Sequence, residues 1–417
     1  DMTGASVRFF VPPNVRQKLG KGKVRAVKHN ERVKRTSPSQ AAVPRRHLSA
    51  MIAFHRSITR KGEAAMQSIT AGVDLAKQVF AICLMDDAGH VTGRRELRRD
   101  GFHQWLAEQP EGMIVAMEAC SSAHYWGREC QRHGLQPRLM AAQFVKPFRK
   151  RALIKNDRQD AEAIATAARQ GNMRFVAVKD EPQQVRLSWH RVREGYKKDA
   201  LAVRNRLRGL LAEFGVVIPE SVTALKRTLA DLDRHELPTG LLRLIRLQQE
   251  HLKVIEAGMA ECDARIAEQA TADERCQRLR ALTGIGPVTA DAVVASVGNA
   301  AEFRNGRQFA AWMGLTPTQF GSGGKVSLGH ISCRGDRYLR TLLIQGARSS
   351  LQRAKLIPTD TATPEQQWIV QPAARMSYGK VLVAIANKHA RQVWAMLARS
   401  EAYDPEAWLK HPMVQRT

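Results

Sequence analysis

Four carboxylates stand at positions from which they could hold divalent metal ions. Asp74 and Glu118 each end an apolar run that is typical of a buried strand. Asp157 and Asp160 lie three residues apart in an alanine-rich segment, and this spacing places both on one face of a helix. Hard divalent cations prefer oxygen ligands, and a two-metal site for phosphoryl transfer draws carboxylates from separate elements. The pattern therefore predicts a metal-dependent catalytic site.

Each of the four carboxylates also has an ordinary interpretation. An aspartate after a strand is often a turn or cap residue, and aspartate in the first turn of a helix is favoured by the helix dipole without any metal. The order of the set, strand-Asp, strand-Glu and then helical Asp-x-x-Asp, favours the catalytic interpretation over four separate structural ones.

The elements that would position these carboxylates can be read from the apolar pattern. Residues 69–74 and 79–85 read as a strand hairpin, and residues 90–97 as a third strand that completes a meander. Residues 101–109 read as a short helix, and residues 113–118 as a strand buried on both faces. Ligands of open α/β sheets gather at the carboxyl ends of strands, where Asp74 and Glu118 are expected.

The charge balance points to a nucleic-acid partner. The chain of 417 residues has 66 Lys and Arg against 39 Asp and Glu, a net charge of +27, and this favours phosphate backbones as the counter-charge. Residues 1–65 hold 15 of the basic and 3 of the acidic residues and predict a disordered basic extension, either a functional arm or upstream sequence read in frame before Met66.

Other classes of protein are disfavoured by composition. There is no apolar run of membrane-spanning length and no signal-peptide pattern, so a soluble cytoplasmic protein is expected. The six cysteines form no C-x-x-C pair, which argues against a zinc ribbon or a disulfide framework.

Long helices are predicted from about residue 181 to residue 275. Apolar residues there alternate steps of three and four, which is the pattern of a seam buried against a partner helix. A helical hairpin or a dimerising coiled coil is one interpretation, and a plain intramolecular bundle is the other. The first seam comprises Tyr196, Ala200, Val203, Leu207, Leu210 and Phe214; the second comprises Leu241, Ile245, Leu252, Ile255, Met259, Cys262 and Ile266.

Two glycine-rich segments follow the long helices. Gly284 and Gly286 flank an isoleucine before an expected helix, which resembles a helix-hairpin-helix motif that contacts the DNA backbone; Gly-x-Gly also caps ordinary helices. Ser322 stands among three glycines and is either a turn residue or an accessible nucleophile. Ser332 reads as the cap of a following helix.

Three basic residues near Ser322 are candidates for phosphate contacts. Lys325, Arg334 and Arg337 lie in the polar segment that follows the glycine-rich turn. Solvated surface charge is the alternative for each of them.

Taken together, the chain resembles the DEDD transposases of the insertion-sequence 110 and 1111 group, which are described as bridge-RNA-guided recombinases. The likeness runs from about Met66 to Tyr403. The motifs that carry it are Gly72-Val73-Asp74-Leu75-Ala76-Lys77, Met117-Glu118-Ala119-Cys120, Asn156-Asp157-Arg158-Gln159-Asp160-Ala161, Gly284-Ile285-Gly286, Gly314-Leu315-Thr316-Pro317 and Ile331-Ser332-Cys333-Arg334-Gly335-Asp336.

The resemblance implies an α/β RNase H-like (RuvC-like) domain, a mostly α coiled-coil region and an α-rich C-terminal transposase domain. It implies that Asp74, Glu118, Asp157 and Asp160 bind Mg²⁺ and that Ser322 is the nucleophile of a covalent phosphoserine intermediate. The partners it implies are double-stranded DNA, a structured noncoding guide RNA and further copies of the chain, up to a tetramer, in the nucleoid of a bacterial cytoplasm.

These expectations divide the chain into segments. Residues 1–65 would be the extension, 66–180 the RuvC-like domain, 181–275 the helical region, 276–403 the C-terminal domain, and 404–417 a tail. Residues 357–372, rich in proline and threonine, are expected to form a loop.

Two further functions use part of the same residues. A RuvC-type nuclease would use the carboxylates without Ser322, and a non-catalytic nucleic-acid-binding protein would need only the basic charge and the Gly-Ile-Gly segment.

Overall fold

The computed structural model describes residues 69–149, 157–322 and 325–405. The predicted basic extension and most of the predicted tail lie outside these residues. In the described part of the chain, a mixed sheet is followed by long helices and then by a second, mostly helical region.

The sheet has the strand order β3-β2-β1-β4-β5-β6. Strands β1, β2 and β3 form the predicted antiparallel meander, whereas β4 runs parallel to β1 and β5 runs parallel to β4. This topology is consistent with the RNase H-like class. The strands are β1 (Thr70–Asp74), β2 (Val79–Met85), β3 (Val91–Arg98), β4 (Ile114–Glu118), β5 (Gln136–Met140) and β6 (Phe175–Val176).

An aromatic cluster fills the core between the sheet and two of its helices. The rings of Phe80, Phe102 and Trp126 are fully buried and meet edge to face, with centroids 4.8–5.3 Å apart. Such pairs prefer this geometry because of the ring quadrupoles. The helices associated with the sheet are α1 (Arg99–Ala107), α2 (Ala123–Arg132), α3 (Ala142–Val145) and α4 (Asp157–Ala168).

The predicted long helices are present as α5 (Glu181–Ala212) and α7 (Thr239–Ala272), with α6 (Val222–Ala230) between them. They run antiparallel, because Arg193 contacts Asp263 whereas Arg206 contacts Gln248. Their apolar seams pack against each other within one chain. The dimerising coiled coil stays a prediction.

One end of the predicted seam is wrong. Phe214 is 48% exposed because helix α5 ends at Ala212. Leu210 packs partly buried against the seam as predicted, and Leu211 beside it is fully buried. Seam residues beyond the end of a helix lose the partner surface that would bury them.

The C-terminal region consists of packed helices and one exposed hairpin. Its core is formed by the apolar faces of α9, α11 and α13. The elements are α8 (Glu274–Arg280), α9 (Pro287–Val297), α10 (Gly306–Trp312), β7 (Pro317–Ser322), β8 (Lys325–Ile331), α11 (Arg337–Ala354), α12 (Pro364–Val370) and α13 (Tyr378–Ala398).

The structure corrects two expectations in this region. Residues 357–372 are not all loop, because α12 lies within them; Thr363 and Gln366 form a capping box and Pro364 occupies the first turn, where proline is tolerated. The cap of helix α11 is Asp336 and not Ser332. The Asp336 carboxylate accepts hydrogen bonds from the backbone N–H groups of Tyr338 and Leu339 at 2.7 and 3.1 Å.

A buried polar network joins the long helix α5 to the C-terminal region. Asp291 on α9 is fully buried and accepts hydrogen bonds from the Arg186 guanidinium and, at 2.9 Å, pairs with Nε2 of His190. The other ring nitrogen of His190 lies 3.0 Å from the hydroxyl of Tyr338, at the start of α11. The Asp291 carboxylate thus joins α9 to α5, and His190 extends the network to α11.

We expect Asp291→Ala to lower the free energy of unfolding by about 1–3 kcal/mol, because it leaves the buried ring of His190 and the Nε–H of Arg186 without their acceptor, while Asp273 still pairs with Arg186. Chemical denaturation measures the change. Asp231→Ala is the matched control, since its pair with Arg234 is exposed and should contribute less than about 1 kcal/mol. Equal losses in both variants would contradict a special role for Asp291.

A second buried group makes stability depend on pH. His389 on α13 is 1% exposed, and this burial lowers its pKa to about 4. The unfolded chain therefore binds more protons than the folded chain between about pH 6.5 and 4. The stability that neutral His389 contributes is present above pH 6.5 and is lost as the pH falls toward 4.

We expect the wild type to lose about 2 kcal/mol more stability than His389→Leu when the pH is lowered from 7 to 5, because only the wild type must bury this ionisable ring. Denaturation curves at both pH values give the difference, and each protein serves as its own reference at pH 7. Identical pH dependence in the two proteins would show that His389 is not the titrating group.

No helix among the described residues is long and apolar enough to cross a membrane.

Candidate active site

Two of the predicted carboxylates lie side by side at one edge of the sheet. Strands β1 and β4 are parallel, with Val73 opposite Met117, so Asp74 and Glu118 occupy the neighbouring carboxyl ends. Adjacent strands are about 4.8 Å apart. The prediction from strand ends is confirmed for the backbone placement of this pair.

Helix α4 brings the third carboxylate toward this edge by packing directly on strand β1. A Cβ atom on Gly72 would lie 2.2 Å from the carbonyl oxygen of Ala161 and 2.4 Å from the backbone nitrogen of Ala165. Only glycine permits so close an approach. Asp160, the residue before Ala161, is 7% exposed as a result.

Arg149 connects the sheet carboxylate to the helix carboxylate. Its Nη2 lies 3.0 Å from Oε1 of Glu118, and its Nε lies 3.1 Å from Oδ1 of Asp160. One guanidinium spans only a few ångströms, so Glu118 and Asp160 converge on the same small volume. Arg149 was not identified from the sequence, although it stands in a visibly basic run, 146–151, just before Asp157.

The carboxylates of this edge act on a neighbouring thiol. Burial, followed by the charges of Glu118 and Asp74, raises the pKa of the Cys120 thiol. Both carboxylates therefore act on one group immediately after β4, which agrees with their shared position. Cys120 is kept as a neutral thiol and not as a reactive thiolate.

Oxygen donors from separate elements fit a hard divalent cation such as Mg²⁺. Asp157 begins helix α4, one turn before Ala161, but its side chain lies outside the described part of the structure. Among the described side chains, no group of three or more His, Cys, Asp or Glu residues is arranged to hold a metal ion. The convergence of all four carboxylates stays a prediction.

The candidate nucleophile lies at the tip of a hairpin. Ser322 ends β7 and Lys325 begins β8; the side chain of Ser322 and residues 323–324 lie outside the described part. Apolar side chains of the hairpin face solvent, with Phe320, Val326 and Leu328 each 60–66% exposed. A two-stranded hairpin is at most marginally stable alone in water, so this one depends on the packing at its base.

The two glycines of the Gly-Ile-Gly segment have different environments. Gly284 has φ +92° and touches helix α11, where a Cβ would lie 2.4 Å from the carbonyl oxygen of Gly346. Helix packing therefore accounts for glycine at 284. Gly286 is exposed at the start of α9, with open space around its Cα, and can be approached by a phosphate.

The three candidate phosphate-binding residues are accessible. Lys325, Arg334 and Arg337 are exposed. Ser332, between the hairpin and α11, is partly buried, and its backbone N–H donates to the carbonyl oxygen of Thr316 at 2.8 Å. This backbone hydrogen bond closes the base of the hairpin.

We expect Gly72→Ala to destabilise the protein by about 1–3 kcal/mol and to abolish strand cleavage, because the new methyl group must push helix α4 and Asp160 away from β1. Thermal melting and a cleavage assay measure the two effects. Gly101→Ala is the matched control: Gly101 lies in helix α1 with nothing within 4 Å of an added Cβ, so alanine should stabilise by about 0.5–1 kcal/mol. Full cleavage by Gly72→Ala would contradict this account of the site.

Comparison with known proteins gives a consistent family. Residues 71–215 match a model for DEDD transposases of the IS110 type, and residues 276–361 match the model "Transposase IS116/IS110/IS902 family". The chain is similar to a probable family 20 transposase of Pseudomonas aeruginosa, with 44% identity over 80% of this chain and 98% of that protein. It is also similar to the transposase for insertion sequence element IS1111A of Coxiella burnetii, with 36% identity over 84% of this chain and 95% of that protein.

Proposed function

Because this chain belongs to the IS116/IS110/IS902 transposase family, enzymes that act on DNA, we propose that it exchanges DNA strands through a serine-linked intermediate at a Mg²⁺ site. Asp74, Glu118, Asp157 and Asp160 would hold the metal, and Ser322 would be the nucleophile. The observation that supports this proposal most is the shared contact of Glu118 and Asp160 with Arg149, which brings carboxylates of two elements together.

Strand exchange through a serine-linked intermediate requires an attacking hydroxyl and neutralisation of the phosphate charge. The Ser322 hydroxyl would attack the phosphorus of a DNA phosphodiester; a serine Oγ–P bond forms, the bond to the leaving sugar oxygen breaks, and the hydroxyl proton is transferred to a base. Bound Mg²⁺ supplies neutralisation of the phosphate charge and stabilisation of the leaving oxygen. Serine is a weak nucleophile unless it is activated, so the hairpin tip must meet the carboxylate edge in the working complex.

The exposed hairpin supports a site completed by a second copy of the chain. Its solvent-facing apolar residues suit contact with another surface, and an assembly up to a tetramer would let the serine of one copy meet the carboxylates of another. The helical region, 181–275, would contribute to that assembly.

Double-stranded DNA is the expected main partner, and a structured guide RNA is part of the proposal. The net charge of +27 suits two phosphate backbones, and Gly286, Lys325, Arg334 and Arg337 are accessible for contacts to them. The guide RNA rests on the family resemblance together with this charge.

We expect Ser322→Ala to bind DNA as the wild type does but to form neither a covalent protein–DNA adduct nor recombinant product, because only the attacking oxygen is removed. Denaturing electrophoresis of labelled target DNA with Mg²⁺ detects the adduct. Ser332→Ala is the matched control and should keep forming it.

The outcomes separate the candidate functions. An adduct that persists in Ser322→Ala and vanishes in Ser332→Ala would assign the nucleophile to Ser332. Cleavage without any adduct in the wild type would favour a metal-dependent nuclease. Binding without Mg²⁺-dependent cleavage would favour a non-catalytic nucleic-acid-binding protein.

A further inference from the structure

Arg149 holds the two carboxylates that a metal ion would need. Its Nη2 donates a hydrogen bond to Oε1 of Glu118 at 3.0 Å, and its Nε forms an ion pair with Oδ1 of Asp160 at 3.1 Å. It follows the short 3-10 helix Lys146–Phe148 and precedes helix α4 in the chain. An arginine so placed is either a permanent structural clamp or a cation that gives way to another.

We propose that Arg149 is an exchangeable counter-cation of the site, and that a divalent metal ion binds Glu118 and Asp160 only after the Arg149 guanidinium has left them. This inference rests on the proposed metal-dependent function. It makes metal affinity depend on where one arginine side chain lies.

Competition follows from the geometry of the ligands. The guanidinium N–H groups engage an oxygen of each carboxylate, and a Mg²⁺ ion needs carboxylate oxygens at about 2.0–2.1 Å in near-octahedral geometry. A divalent cation bound to the same two carboxylates would also lie close to the fixed positive charge of the arginine. Both effects oppose simultaneous binding of the metal ion and the Arg149 guanidinium to the two carboxylates. The coupling is reciprocal, because each cation weakens the binding of the other to the same extent.

The exposures of the three side chains show that the exchange is possible. The Arg149 side chain is 36% exposed, whereas those of Glu118 and Asp160 are 16% and 10% exposed. The arginine is therefore the accessible member and the carboxylates are the fixed ones. It can move into solvent, or to a nucleic-acid phosphate, without unpacking the sheet or helix α4.

A neighbouring pair shows what a purely structural contact looks like here. Arg94 on β3 pairs with Glu162 on helix α4, two residues after Asp160. Glu162 is not one of the candidate metal ligands, so the Arg94 pair can fasten the helix while metal is bound. The two arginines contact the same helix, and only Arg149 engages the candidate site.

Mn²⁺ binding to the full chain, without nucleic acid, tests the exchange. Isothermal titration calorimetry would compare the wild type with R149Q, R149K and R94Q, and Asp160→Asn would report loss of the site. Thermal melting of each variant without metal confirms folding. We expect R149Q to bind Mn²⁺ about tenfold more tightly than the wild type, a coupling within the usual range for linked sites.

The other two arginine variants separate the effect of the positive charge at position 149 from that of the planar guanidinium and from that of general surface charge. R149K should give an intermediate affinity, because an ammonium group keeps the charge but cannot bridge two carboxylates as a planar fork does. R94Q should bind Mn²⁺ as the wild type does. The metal concentration that half-saturates DNA cleavage should fall in R149Q in parallel with its dissociation constant.

Each other result overturns a defined claim. If the wild type binds Mn²⁺ at a site lost in Asp160→Asn and folded R149Q binds equally or more weakly, Arg149 is a structural clamp and the metal site stands. If no folded variant binds Mn²⁺, the proposed metal site itself fails. Equal tightening in R94Q and R149Q would assign the effect to general surface charge.

Discussion

The contact on which the site depends is the close packing of helix α4 against strand β1 at Gly72. The backbone of the helix lies where any side chain at position 72 would stand. Because this distance is so short, Asp160 reaches the edge of the sheet at which Asp74 and Glu118 end. A larger separation would move Asp160 away from this edge and from Arg149, so the absence of a side chain at position 72 decides where this carboxylate lies.

Carboxylates that lie close together repel one another, and arginine side chains offset this repulsion in the structure. Arg149 lies between Glu118 and Asp160, while Arg94 and Arg158 pair with Glu162 and Glu96 around the same helix. Paired charges are tolerated where unpaired ones would be costly. The same reasoning applies at Asp291, where a fully buried carboxylate is satisfied by a guanidinium and an imidazole. The protein thus uses arginine to stabilise acidic groups as well as to carry its net positive charge.

The C-terminal region consists of a buried helical core and an exposed hairpin. The helices that pack there bury a large apolar core, and the network through Asp291 joins them to helix α5. The hairpin that carries Ser322 exposes apolar side chains on both strands. The C-terminal region thus combines a packed helical base with a protruding hairpin tip at which Ser322 lies.

The sequence by itself determined the meander, the buried strand β4, the long helices and the backbone positions of Asp74 and Glu118, because alternation, apolar runs and helical periodicity are local signals. It also indicated the family through ordered motifs. Only the tertiary structure decided that Gly72 is the contact point for α4, that Arg149 bridges two carboxylates, and that Asp336 caps α11. It also decided that position 284 must be glycine, because the backbone of Gly346 lies against it. Each of these depends on residues far apart in sequence or on the choice between nearby caps, and no local pattern records which atoms meet when the elements pack.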